Sequence, residues 1–160
     1  MGEKIIERFD GVCQCGAVEY CVTGQSINFF VCHCSQCQKQ SASAFGMALW
    51  ISDFRTERLS GELRPWQRAT PSGHLLTGEM CAHCGSRVFH RHSANEQVLS
   101  IKPGTLNSAM TLAPVGHIWT SMAQDWVHIP PEVLSYSENP PDFNAMFQAW
   151  QRARKRANRS

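Results

Sequence analysis

Seven of the eight cysteines in this 160-residue chain fall into three tight groups: Cys13 and Cys15; Cys32, Cys34 and Cys37; Cys81 and Cys84. Only Cys21 stands apart. Clustering of this kind constrains the fold more than any other feature. A disulfide inside C-x-C or C-x-x-C is strained or redox-labile, so it makes a poor structural link. A disulfide framework belongs to short secreted chains. This chain is long enough for a core of its own. Its charged start, MGEKIIERFD, holds no apolar signal core, so a cytoplasmic location is expected. The cysteines therefore read as metal ligands, and zinc is the metal that thiolates in such pairs favour.

The outer pairs match each other. Cys81 and Cys84 form C-x-x-C followed by Gly85, the pattern of a zinc knuckle, and Gly85 can take the positive φ that such turns need. With Cys13 and Cys15 they make four ligands from two distant places. A metal held between them would staple the N-terminal strand to the middle of the chain. C-x-x-C alone could be a redox pair, but that motif wants a helix start after it, and GSRVFHR reads as a strand.

The middle group offers three sulfurs. Cys21 could complete it, but its place in a strand suits a buried, small hydrophobe. His33 is adjacent but would point away from a C-x-C chelate. His83, His90, His92, His117 and His128 remain candidates by residue type, though an ordinary surface or hydrogen-bonded histidine is the commoner role. If the fourth position is open, the site has the form of catalytic zinc: three protein ligands and room for water or substrate. Three thiolates and Zn²⁺ sum to a net charge of −1, so such a zinc is a weak Lewis acid toward water. It suits an incoming thiol better. No H-E-x-x-H protease motif is present.

The rest of the sequence predicts a mainly β chain. Strands are expected at residues 17–22, 45–51, 86–92, 97–104 and 115–121, separated by Gly and Pro. A short helix is expected from Ser35 to about Ser43. A second runs from about Asp142 into the tail, with Phe143, Met146, Phe147 and Trp150 at helical spacing. The expected division is a zinc-binding domain over residues 1–140 and a C-terminal helix and basic tail over 141–160. The last ten residues hold Arg152, Arg154, Lys155, Arg156 and Arg159 and no acid, and the rest of the chain is net acidic. Such a body is not a nucleic-acid surface, and no apolar run is long enough to span a membrane.

The segments GVCQCGAVEY, VCHCSQCQKQSASAF, CAHCGSRVF, GTLN and GHIWTSMAQDW occur in the order seen in the glutathione-dependent formaldehyde-activating enzymes. The chain resembles that family over roughly residues 8–136. The resemblance implies an Mss4-like fold, β-sheets around a structural zinc. It implies that Cys13, Cys15, Cys81 and Cys84 hold the structural zinc, and that Cys32, Cys34 and Cys37 hold a second, catalytic one. It also implies a carbon–sulfur lyase reaction joining formaldehyde reversibly to the thiol of glutathione. The chain departs from the usual family pattern at Gln38 to Ser43 and at Ala123 to Trp126. Glutathione carries two carboxylates, for which Lys39, Arg64, Arg68 and Arg91 are candidate partners. Trp50, Trp66, Trp119 and Trp126 could line a pocket, although core packing is the default for tryptophan. The competing reading is a non-enzymatic zinc module that binds protein or nucleic acid, since the Mss4 fold also hosts interaction proteins. A methionine sulfoxide reductase would need a redox cysteine outside the knuckles, and none follows Cys84.

Overall fold

A computed structural model describes residues 5–108 and 113–157, which leaves Arg159 of the basic tail outside the described residues. The chain forms two compact units, Met1–Ser26 with Leu49–Thr111, and Ile27–Ala48 with Leu112–Ser160. Strands predominate and a helix closes the chain, as the sequence predicts.

The first unit is built from antiparallel strands. They are β1 (Glu7–Val12), the start of β2 (Glu19–Cys32), most of β3 (Gly46–Ser60), β4 (Leu63–Ala69), β5 (Leu75–Cys81), β6 (Arg87–His92) and β7 (Asn95–Ile101). β4, β5, β6, β7 and β3 lie side by side in that order, and β1 pairs with β2. Alternation along the strands sends Leu49 and Ile51 of β3, Phe89 of β6, and Leu99 and Ile101 of β7 to one buried face. Tyr20 of β2 meets Phe89 edge-on at 4.9 Å. The Tyr20 hydroxyl lies 2.9 Å from Thr105 Oγ1, so its polar end is satisfied. Its ring lies over Gly11, where a Cβ would come within 2.2 Å of it.

The second unit combines the end of β2, α1 (Ser35–Ser41), β8 (Gly116–Ile118), β9 (Leu134–Ser135) and α2 (Asn144–Ala157). β8 runs parallel to β2, pairing Phe30 with Gly116 and Cys32 with Ile118, and β9 runs parallel to β8. α2 buries Met146 and Trp150. Trp150 stands edge-on to Phe29 of β2 at 5.9 Å. The apolar spacing in the sequence thus becomes the buried stripe of a helix lying on a strand.

All five expected strands exist, with different limits. The strand expected at 17–22 runs to Cys32, and the one expected at 45–51 runs to Ser60. Those expected at 97–104 and 115–121 end early, in 3-10 turns at Pro103–Thr105 and Thr120–Met122. β1, the β4–β5 hairpin and the two-residue β9 are additional. α1 stops at Ser41 because Ala42 adopts a left-handed conformation, φ 48°. No helix among the described residues is long and apolar enough to cross a membrane.

Candidate metal centres

In the first unit, two turns of similar construction face each other. Cys13 follows β1, and its carbonyl accepts the N–H of Gly16 at 3.1 Å. Cys81 ends β5, and its carbonyl accepts the N–H of Gly85 at 2.9 Å. Gly16 and Gly85 both take positive φ, 81° and 74°, as the sequence anticipates for Gly85. The four sulfurs of Cys13, Cys15, Cys81 and Cys84 all lie within 4.8 Å of one another. Cys13 and Cys15 are 3.5 Å apart, and Cys15 and Cys81 are 3.9 Å apart. Tetrahedral zinc with sulfurs at about 2.3 Å needs them about 3.8 Å apart, so the arrangement fits the ion. Hydrogen bonds to the Ser86 hydroxyl and backbone hold Cys84 down to about 5, which favours the thiolate that a metal requires. An open cavity of about 600 Å³ beside this group is lined in part by Cys15, Glu62, Arg64 and His83.

In the second unit, one short stretch presents three sulfurs. Cys32 is the last residue of β2, Cys34 caps α1, and Cys37 lies in the first turn of that helix. The Cys34 sulfur accepts the N–H of Cys37 at 3.4 Å, in the manner of an N-cap serine or aspartate. These three sulfurs also lie within 4.8 Å of one another. Hydrogen bonds from Cys32 and then Cys37 hold Cys34 down to about 2, and the same contacts, with burial, push Cys32 up. A divalent cation resolves that conflict, because it lets all three be thiolates together. Gly46 passes so close that a Cβ there would stand 3.2 Å from Cys37 Cβ.

Among the described residues, no histidine, carboxylate or further cysteine joins the three. Cys21 is buried in the first unit, where burial, with Asp10 nearby, pushes its thiol up. His33 is fully buried and its Nε2 lies 2.9 Å from Nδ1 of His117. Burial lowers the pKa of both rings, so the pair is neutral, one ring donating and the other accepting. His83, His90 and His92 belong to the first unit, and His128 is exposed. The pairing of His33 with His117 left no signal in the sequence, because one partner follows β2 and the other lies in β8, 84 positions along the chain.

Of the candidate cations, Lys39 is exposed on α1, beside the three cysteines in sequence. Arg64, Arg68 and Arg91 belong to the first unit, where Arg91 is bound to Glu79 at 3.1 Å and lies over Phe54. Trp50 and Trp66 are also in the first unit, whereas Trp119 and Trp126 share the second with the three-cysteine group.

The sequence model of the glutathione-dependent formaldehyde-activating enzymes matches residues 8–122. A crystal structure of a Rhodobacter sphaeroides protein is similar, with 23% identity and a TM-score of 0.48, over 64% of this chain and 91% of that one. No curated protein matches the chain. The matched span takes in both cysteine groups, and the chain belongs to the glutathione-dependent formaldehyde-activating enzyme family.

Proposed function

We infer that the protein is a zinc-dependent enzyme of the carbon–sulfur lyase type, joining a small thiol such as glutathione to formaldehyde or another small carbonyl. One observation carries this reading: three convergent cysteine sulfurs with no fourth protein ligand among the described residues. An interaction module has no use for such a site, whereas thiol chemistry does. In this reading Cys13, Cys15, Cys81 and Cys84 hold a structural zinc, and Cys32, Cys34 and Cys37 hold the reactive one. The enzyme would work in the cytoplasm.

Zinc, when bound there, supplies positive charge that lets an incoming thiol lose its proton at neutral pH. The reaction then balances simply. The thiolate sulfur forms a bond to the aldehyde carbon, the C=O π pair moves onto oxygen, and the proton released by the thiol ends on that oxygen. The reverse breaks the same C–S bond. The protein's part is positional. Cys32 is fixed by the β2–β8 pairing and Cys34 and Cys37 by the first turn of α1, so the fold itself sets where the three sulfurs that would hold the zinc stand.

The test is thiol-dependent consumption of formaldehyde by zinc-loaded protein. Acceleration over the spontaneous reaction, lost in Cys37→Ser, is expected. Equal rates with and without the wild-type protein, for glutathione and for smaller thiols, would leave the interaction-module reading in its place.

A further inference from the structure

The segment after β8 is held from two sides. On one side, the N–H groups of Trp119, Thr120 and Ser121 donate to the carbonyls of Glu138, Tyr136 and Ser137. The hydroxyls of Thr120 and Ser121 donate again to Tyr136 and Ser137. On the other side stands Gln38, the residue after Cys37. Its Nε2 donates to the carbonyl of His33 at 2.6 Å and to that of Met122 at 2.8 Å. Two carbonyls at the nitrogen fix which way the amide faces, so Oε1 is left to accept. Gln124 supplies the donor: its Nε2 lies 2.8 Å from that oxygen.

Gln124 also begins a turn. Its carbonyl accepts the N–H of Val127 at 2.9 Å, and Trp126 is the third residue of the four. Trp126 is 76% exposed, more than any other large apolar side chain described. Holding an indole out in water gains the fold nothing by burial. Yet the turn that carries it is tied, through Gln38, to the carbonyl between Cys32 and Cys34.

We propose that the Gln38–Gln124 pair is a positioning clamp for the thiol site, and that Trp126 is the surface against which the organic part of the thiol packs. This rests on the function proposed above. Gln38 acts through the peptide it holds and Trp126 through contact, so both affect binding of a thiol rather than the bond-making step.

Calorimetric titration of zinc-loaded protein tests it, with two probes: glutathione, which has an organic part, and 2-mercaptoethanol, which has little. Trp126→Ala and Gln124→Ala should each weaken glutathione binding about tenfold, the size of one lost aromatic contact, and leave 2-mercaptoethanol unchanged. Gln124→Glu should be no better than Gln124→Ala, since it sets an acceptor against an acceptor. The double variant should be no worse than either single one, because the two residues act as a unit. Zinc content and melting temperature should match the wild type, and KM for glutathione should rise while kcat holds. If the variants bind glutathione as the wild type does, or lose zinc, this inference falls alone. If the wild type binds neither probe, the proposed function falls with it.

Discussion

At the scale of single residues, His90 of β6 makes a pH prediction. Burial, with Lys102, Arg87 and Arg68 adding to it, holds its pKa down to about 2, against about 6.5 for a free imidazole. The folded protein keeps it neutral, whereas the unfolded chain takes up a proton below that value. Its contribution to stability is full above about pH 6.5 and drains as the pH falls toward about 2. A His90→Gln variant should therefore melt closer to the wild type at about pH 5 than at about pH 7. A gap that stays constant across that range would show that His90 carries no proton linkage. Gly61 makes a steric prediction. It joins β3 to β4 at φ 81°, and a Cβ there would come within 2.1 Å of the Ala17 carbonyl oxygen. Gly61→Ala should cost about 1–3 kcal/mol in a denaturant melt, from left-handed strain and the clash together.

At the scale of elements, α2 is held by what it buries. Trp150 is 2% exposed and packs edge-on against Phe29. Trp150→Ala should cost about 3–5 kcal/mol, measured by the same melt. That helix was legible because Met146 and Trp150 repeat at helical spacing behind two prolines. α1 was legible too, as a short helix directly after the cysteine group, while its cysteine cap was seen only in the fold. β4 and β5 were not. Leu63–Ala69 and Leu75–Cys81 hold proline, glycine, arginine and glutamine where a strand wants apolar alternation. They are strands because they pair residue for residue across a short turn, with the Trp66 indole lying over Gly78. Propensity within either segment contains nothing of that pairing. The cysteine groups were the reverse case, since their spacing already grouped the sulfurs that the fold brings together. Gln38 and Gln124 fall between. The sequence marks both as departures from the family pattern, but only the fold reveals that they bind each other.

At the scale of the whole molecule, the two cysteine groups sit in different compact units. Their losses should therefore separate. Elemental analysis of the wild type should find about two zinc per chain. Cys37→Ser should lower that by about one with the thermal melt nearly kept. Cys81→Ser should destabilise the protein broadly, because a metal held by the quartet would be part of folding. A Cys81→Ser melt equal to the wild type would contradict a structural role for that group. Synthesis adds an asymmetry in time. The Cys15 and Cys81 sulfurs that meet at 3.9 Å are 66 positions apart in the chain. On the ribosome, Cys13 and Cys15 must wait as bare thiols until the second knuckle has emerged, while Cys32 to Cys37 emerge as a complete set. In the proposed reading, the first pair of the quartet therefore meets oxidants as bare thiols for longer than the three-cysteine group does.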